Sequence, residues 1–186
     1  MKYIGSRISI NEAKDKTTIV ILPHQSAWTN AAMGMWLAMW YAVGGTVIWS
    51  LFQLKLTEQE RIILYIFLVF WLYYAARITY TFLWVLKGKE WMKIDGTRLT
   101  IKKSVGTFGK AKEYFFENIH QFSVHQPEKG SIQAVWEASP WISGGDRMQF
   151  DYFGKLIRFG RKLDESEAKQ LFVFLDKQIK ERLKRK

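Results

Sequence analysis

The feature that most constrains this chain is a long stretch without charged residues. Between Thr17 and Leu54 the 186-residue sequence contains no Asp, Glu, Lys or Arg, and a second apolar run is interrupted only by Arg77. At about 1.5 Å per residue, each run is long enough as a helix to cross the roughly 30 Å hydrocarbon core of a bilayer. A soluble domain of this size cannot cover two long helices that are apolar on all sides. The sequence therefore predicts two transmembrane helices, at about residues 31–52 and 62–86.

The positive charges beside the two predicted spans set their orientation. Lys14 and Lys16 precede the first span and three lysines follow the second, whereas the loop between the spans offers only Lys55 and Arg61. Positively charged flanks favour the cytoplasmic side of a membrane. We therefore expect a multi-pass membrane protein whose N- and C-termini are both cytoplasmic. We expect the first span to be retained, because it is too long for the hydrophobic part of a signal peptide.

The segments outside the spans are predicted to be rich in β-strands. Residues 1–26 contain an alternating run and a β-branched run separated by a polar turn, which indicates a β-hairpin. A final amphipathic helix is expected over residues 164–185, with Asp164 and Glu167 as a capping box. Between the spans and this helix lie seven strand-like runs: Trp91–Ile94, Leu99–Lys103, Ala111–Phe116, Ile119–Val124, Ile132–Trp136, Arg147–Tyr152 and Leu156–Phe159.

About seven strands followed by one helix is the element order of a pleckstrin-homology-like β-barrel (PH-like below) capped by a helix. The expected architecture is an N-terminal β-hairpin, a transmembrane helical hairpin over residues 27–88 and a PH-like domain over residues 89–186. Specific strings accompany this order, namely Asp95-Gly96, Glu113-Tyr114, FDYFGK followed by IRFG, and Leu163-Asp164. With these strings the chain resembles a group of small bacterial membrane proteins that have two transmembrane helices and a C-terminal PH-like domain. The resemblance implies this fold and a location in the bacterial inner membrane, and it implies almost no activity.

The sequence offers few groups for catalysis or cofactor binding. It has no cysteine, only three histidines, and no HExxH, GxSxG or Walker-type motif. His120 and His125 are five residues apart and would point to opposite faces of one strand, which is poor geometry for a metal. We therefore expect no enzyme activity, no cofactor and no metal site. Nucleic acid is not an expected partner either, because the basic tail is short and lacks interleaved aromatic residues.

One face of the first span predicts a helix interface within the membrane. Gly34, Ala38 and Ala42 recur every four residues, and such small side chains let helices approach closely in lipid. Trp36 and Trp40 share a face at mid-membrane depth, away from the interfacial belts that tryptophan prefers. The partner of this face is either the chain's own second span or another membrane subunit.

A second group of candidate residues is basic and is expected to contact anionic lipid headgroups. Arg77 lies near the cytoplasmic end of the second span, where its side chain can reach the headgroups. Each cation close to an anionic surface contributes about 1 kcal/mol to the free energy of binding. For the tail, the alternative is a solvated face whose charges only set the membrane topology. The other candidates follow the spans or belong to the tail: Lys87, Lys89, Lys102, Lys103, Lys180, Arg182, Lys184, Arg185 and Lys186.

Two functions remain open from the sequence. The first is an accessory or scaffolding subunit of a larger inner-membrane complex, which binds other integral membrane subunits through its spans and uses the PH-like domain as a protein-binding module. The second is a membrane-surface sensor whose basic domain and tail bind anionic lipid headgroups. High salt should separate the two, because it screens headgroup binding but leaves a transmembrane interface intact.

Overall fold

Two compact units make up the chain. The computed structural model describes residues 1–13, 15–24, 26–128, 130–142 and 144–184. One unit, termed the sheet unit, combines Met1–His24 with Lys87–Lys186, and the other, termed the helical unit, is Gln25–Leu86. The N-terminal segment and the strand-rich C-terminal segment, which the sequence treats as separate parts, thus belong to one unit.

The helical unit contains two long α-helices. α1 is Ala27–Gln53 and α2 is Glu58–Lys87, and both are long and apolar enough to cross a membrane. This confirms the two predicted helices, although each begins four residues before its predicted start. A polar residue explains the earlier start of α1, because the Ser26 hydroxyl accepts a hydrogen bond from the Thr29 amide at 3.4 Å.

A reciprocal capping box explains the earlier start of α2. The backbone amide of Thr57 donates to the Glu60 carboxylate at 2.8 Å, and the Glu60 amide donates back to the Thr57 hydroxyl at 3.4 Å. These bonds satisfy amides at a helix start that have no partner within the helix. The Thr-x-x-Glu spacing in the sequence therefore indicates the start of α2.

The larger sheet of the sheet unit has six antiparallel strands that follow one another in chain order. They are β1 (Lys2–Ile4), β2 (Ile8–Glu12), β3 (Thr17–Ile21), β4 (Gly88–Ile94), β5 (Arg98–Val105) and β6 (Ala111–Phe115). The predicted N-terminal β-hairpin is confirmed as β2 and β3. A hairpin of this size is marginally stable alone in water, and it gains stability here because β3 pairs with β4.

The pairing of β3 with β4 joins parts of the chain that the whole helical unit separates. Ile19 lies opposite Met92 and Ile21 lies opposite Glu90. The chain therefore leaves the sheet after β3 and re-enters it at β4 on neighbouring strands and at the same end. Both ends of the helical unit are attached at that end of the sheet.

A second, three-stranded sheet and two helices complete the sheet unit. The strands are β7 (Ile119–Val124), β8 (Asp146–Tyr152) and β9 (Lys155–Arg161), and the helices are α3 (Ile132–Ala138) and α4 (Glu165–Lys184). The predicted strand Ile132–Trp136 is wrong, because this segment forms α3. The Ser131 hydroxyl caps α3 by accepting a hydrogen bond from the Ala134 amide at 3.1 Å.

The predicted closed barrel is also wrong, because both sheets are open. A barrel needs hydrogen-bonded ladders between the edge strands of the two sheets, and the strands that the structure describes form none. One turn of 3-10 helix, Phe116–Asn118, redirects the chain between β6 and β7. Among the described strands, the outer edges of β6 and β9 have no partner strand, and neither do those of β1 and β7.

The two sheets and α4 enclose one hydrophobic core. Its inward-facing side chains alternate along the strands, as in Ile8 and Ile10 of β2, and include Phe150 and Phe159 of the second sheet. The apolar face predicted for the final helix is confirmed, with Ala168, Leu171, Leu175 and Ile179 buried. The Asp164 amide donates to the Glu167 carboxylate at 3.1 Å, which is one half of the predicted capping box.

Candidate functional site

Within the helical unit, the packing of α1 on α2 is centred on Gly44 and Trp71. A Cβ atom added to Gly44 would lie 2.1 Å from the Trp71 ring, so only glycine fits there. The Trp71 indole donates to the Trp40 carbonyl at 2.9 Å, and the Trp40 indole donates to the Trp71 carbonyl at 3.4 Å. Trp36 stacks on Trp40 with 5.2 Å between ring centroids. Trp40, one of the predicted interface residues, therefore contacts the chain's own second helix.

The predicted small-residue face of α1 is divided by this packing. Gly34 is half-buried beside α2, since a Cβ atom there would lie 3.3 Å from the Phe82 ring. Ala38 and Ala42 are exposed and lie on the part of α1 that α2 leaves uncovered. Gly45 extends this exposed surface, because nothing lies within 4 Å of the position of its Cβ atom. The alanines thus remain open for contact with lipid or with another chain.

Within the sheet unit, a basic groove separates the open edges of β6 and β9. Its volume is about 370 Å³. The residues that line it come from β5, β6, β9 and the loop before β6, and they define the basic groove: Ile101, Lys103, Lys110, Lys112, Tyr114, Leu156, Ile157 and Arg158. Four of these residues are cationic and the others are largely apolar.

Most of the positive charge in the basic groove is uncompensated. Lys103 is the exception, because its ammonium group contacts both carboxylate oxygens of Asp146, at 2.8 and 2.9 Å. Within the part of the chain that the structure describes, no carboxylate lies within ion-pair distance of Lys110, Lys112 or Arg158. Three cations thus face the groove without an acidic partner.

Buried charges hold the two sheets together at one end of the groove. Glu90 is only 1% exposed, and its carboxylate accepts hydrogen bonds from the amides of Gly160 and Arg161, at 3.0 and 3.1 Å. Burial raises the pKa of Glu90, and the Lys103 ammonium 3.7 Å away opposes that rise. Lys103 also donates to the Arg158 carbonyl at 3.2 Å. These side chains bond to the open edge of β9 in place of a neighbouring strand.

Glu90 was missed by the sequence analysis although a signal existed. Along β4 the inward positions are Gly88, Glu90, Met92 and Ile94, so strict alternation places one carboxylate among core residues. A buried carboxylate needs a charged or hydrogen-bonding partner. Only the pairing register, which sets Lys103 directly opposite Glu90, identifies that partner.

A smaller cavity of about 260 Å³ lies where β3 and β9 end. The buried Arg7 side chain beside it donates to the carbonyls of Leu22 and Lys162, at 3.1 and 2.9 Å, and lies 3.5 Å from the Glu167 carboxylate. Partial burial, together with the neighbouring Arg161 charge, lowers the pKa of Lys162 to about 8. Arg7 thus ties the N-terminal strands to the end of β9 and to α4, which is a structural role.

Of the described residues that were predicted to contact headgroups, Lys89 and Lys102 share the outer face of the six-stranded sheet, and the others lie elsewhere. Lys102 lies on the outer face of the six-stranded sheet, in a cleft with Trp91 and Lys93. Lys103 lies on the opposite face, where it contacts Asp146 of the second sheet. Lys180 pairs with Asp176 at 2.7 Å.

The remaining described residues of this prediction lie on α4, on α2 and on β4. Arg182 donates to the Asp15 carbonyl at 3.0 Å, Lys184 is exposed at the end of α4, and Arg77 contacts the Tyr73 hydroxyl at 3.1 Å within α2. Lys87 ends α2, and Lys89 is exposed on β4. Arg185 and Lys186 lie outside the described residues.

Among the described residues, no three His, Asp or Glu side chains are close enough together to hold a metal ion. The basic groove and the uncovered face of α1 are the candidate sites that the described residues offer. Comparison with models of protein families, with curated proteins and with solved structures finds no match to this chain.

Proposed function

We propose that this protein is a non-catalytic integral membrane protein that serves as an accessory or scaffolding subunit of a larger bacterial inner-membrane complex. α1 and α2 span the bilayer, both termini are cytoplasmic, and the sheet unit binds a partner protein. The observation that carries the proposal is the basic groove, in which three cations without acidic partners lie between two open strand edges.

Membrane anchoring is supported by the surfaces of α1 and α2. Their outward side chains are overwhelmingly apolar, as Phe70 and Leu72 of α2 illustrate. A continuous apolar surface of this length is unfavourable in water and favourable in lipid. The pairing of Ile21 with Glu90 attaches both ends of the helical unit at one end of the sheet, as an inserted hairpin requires.

Protein binding by the groove follows from its backbone and its charge. An unpaired edge strand presents amide and carbonyl groups that an extended segment can pair with. Lys110 and Lys112 on one side and Arg158 on the other make the surroundings strongly positive. Such charges repel a second copy of the same edge but attract an acidic segment. The expected occupant is therefore an acidic, extended segment of a partner subunit.

The headgroup sensor has less support. That function needs several cations on one face, so that they reach the anionic surface together. Lys102 and Lys103 point to opposite faces of the sheet, and Lys180 and Arg182 already have partners within the chain. Among the described residues, Lys89 and Lys102 share the outer face of the six-stranded sheet, but the other predicted cations do not join them there.

The test is capture of the full-length protein from native membranes in mild detergent, followed by mass spectrometry of the proteins that accompany it. The groove variant is Lys110→Glu with Lys112→Glu. The matched control is Lys169→Glu with Lys177→Glu, which reverses the same amount of charge at two exposed positions of α4. We expect stoichiometric membrane partners with the wild type and the control, and their loss from the groove variant.

Two results would contradict the proposal. Capture of the wild-type protein with lipid alone would argue against a complex and favour the sensor. Partners that remain after charge reversal in the groove would show that the groove does not hold them.

A further inference from the structure

α3 presents an apolar face that none of the described residues of the sheet unit covers. Its apolar side chains Ile132, Val135 and Trp136 are 86%, 70% and 64% exposed, respectively. The spacing of three and four residues puts all three side chains on one side of the helix. None of the residues of α3 is buried. The helix therefore does not owe its apolar residues to packing in the core.

The position of α3 within the sheet unit is informative. Glu137 and Ala138, at the end of α3, line the same small cavity as His24. The carbonyl of Ser139 accepts a hydrogen bond from the Lys162 ammonium, which anchors this end of the helix to the end of β9. α3 is thus fixed close to His24, the last residue of the N-terminal part of the sheet unit.

His24 is also where the chain departs toward the first apolar helix. α1 begins at Ala27, three residues later, and three residues span at most about 10 Å. In the proposed membrane protein this is where the chain enters the bilayer. α3 therefore belongs to the part of the sheet unit that the chain itself holds near the lipid.

We infer that α3 is an interfacial helix whose Ile132, Val135 and Trp136 side chains insert into the headgroup region of the bilayer that α1 enters. The inference rests on the proposed membrane anchoring. Short amphipathic helices lie in the interface with their apolar side buried about 5–10 Å, and tryptophan is enriched at that depth. The insertion gives the sheet unit a third attachment to the membrane, besides its two covalent connections.

A small apolar face is sufficient because the sheet unit is tethered. Three side chains would hold a free protein on a membrane only weakly. Tethering makes the contact intramolecular, so the local concentration of bilayer is high.

Single-cysteine labelling tests the insertion, because the sequence contains no cysteine. Val135→Cys in the full-length protein is labelled with an environment-sensitive fluorophore and reconstituted into vesicles of phosphatidylcholine and phosphatidylglycerol at about 7:3. The matched control is Phe153→Cys, 71% exposed in the turn between β8 and β9. That turn lies at the opposite end of β8 and β9 from Asp146 and Arg161. The Arg161 amide donates to Glu90 near the start of β4, so the turn is also far from that end of β4. Val69→Cys in α2, 69% exposed, reports the anchoring.

We expect lipids that carry a nitroxide near the headgroup to quench the probe at residue 135 at least twofold more than the probe at residue 153. Changing Ile132→Ser and Trp136→Ser together should abolish the extra quenching at residue 135 and leave quenching at residue 69 by deep nitroxides unchanged. Absence of quenching at residue 69 would overturn the anchoring and the inference with it.

Quenching at residue 69 but not at residue 135 would overturn the inference alone. A probe at residue 135 that is shielded from a water-soluble quencher in native membranes, yet is not quenched by the labelled lipids, would also overturn it. In that case a protein and not the bilayer covers α3.

Discussion

Glu90 and Lys103 lie directly opposite each other on β4 and β5, with 3.7 Å between carboxylate and ammonium group, and each also reaches the second sheet. Glu90 accepts from the amides of Gly160 and Arg161, while Lys103 contacts Asp146. One cross-strand pair thus connects two sheets that share no hydrogen-bonded ladder. The stability of the sheet unit should depend on it strongly.

Replacing Lys103 by methionine tests this dependence. The substitution leaves the carboxylates of Glu90 and Asp146 without their cation, so we expect the free energy of unfolding to fall by about 3–5 kcal/mol. Lys102→Met, on the outer face of the same strand, should change it by no more than about 0.5 kcal/mol. Denaturant titration of the full-length protein in detergent, followed by circular dichroism, measures both. Equal losses would show that the pair is not specifically important.

The pH dependence of stability reports Glu90 directly. Burial raises the pKa of Glu90 above the ordinary glutamate value of 4.5. The folded state therefore binds the proton more tightly than the unfolded chain, so the stabilisation is present at low pH. It is lost as the pH rises from about 4.5 through the folded pKa.

Glu90→Gln removes this titration. Its melting temperature, measured between pH 4 and pH 8, should therefore lack the decline that the wild type shows over the lower part of that range. Glu113→Gln, an exposed residue paired with Arg98, is the control and should keep the wild-type slope. A wild-type slope in Glu90→Gln would assign the pH dependence to other groups.

Lys162 should titrate near pH 8, where partial burial and the nearby Arg161 charge set its pKa. Carbon-13 reductive methylation makes its resonance visible by NMR, and Lys162→Arg identifies that resonance by removing it. Because the folded pKa lies below the ordinary lysine value of 10.5, the unfolded chain binds this proton more tightly. The contribution of Lys162 to stability should therefore increase as the pH rises from about 8 to about 10.5. A resonance that titrates above pH 10 would contradict the burial of this amine.

Gly44 and Gly45 form a matched pair within α1. A methyl group at Gly44 collides with Trp71, so Gly44→Ala should destabilise the helical unit by about 3 kcal/mol. Gly45→Ala meets no neighbour and should stabilise the helix by about 0.5–1 kcal/mol. Unfolding in mixed micelles of increasing dodecyl sulfate content, followed by tryptophan fluorescence, distinguishes them. Similar behaviour of the two variants would mean that Gly44 does not face Trp71 in the membrane.

Ala38 and Ala42 test whether the uncovered face of α1 binds another subunit. Ala38→Leu with Ala42→Leu adds bulk where α2 makes no contact, so the stability of the helical unit should remain within about 0.5 kcal/mol of the wild type. Membrane partners captured through this face should be lost, because small residues permit close helix approach. Met39→Leu, a volume-conserving change at an exposed position, should retain them. An unchanged set of partners would indicate that this face of α1 contacts lipid and does not bind another subunit.

Local patterns in the sequence predicted the elements better than their assembly. Apolar length identified α1 and α2, and alternation identified β2 and β3. The segment Ile132–Trp136 was assigned to a strand because a run of five residues with apolar ends fits both periodicities. The Ser131 hydroxyl, which caps the first turn of this segment, favours a helix.

The assembly depends on pairings between distant segments, which local patterns do not contain. Closure of the sheets could not be judged without knowing that β3 pairs with β4 across the helical unit. The basic groove was missed for the same reason. Nothing in the sequence distinguishes Lys110, in the loop before β6, or Lys112, in β6, from other lysines. Only the fold places Arg158 on the other side of the groove.

The pairing of β3 with β4 also imposes an order of events during synthesis. The ribosome produces β1 to β3 first, but their partner strand emerges only after the whole helical unit, several seconds later at about 5–20 residues per second. During that interval the apolar inner faces of β2 and β3 have no sheet to join. Synthesis of the second helix must therefore precede completion of the sheet unit. A chain that is released before β4 is made would present an unfinished sheet to the quality-control machinery of the cell.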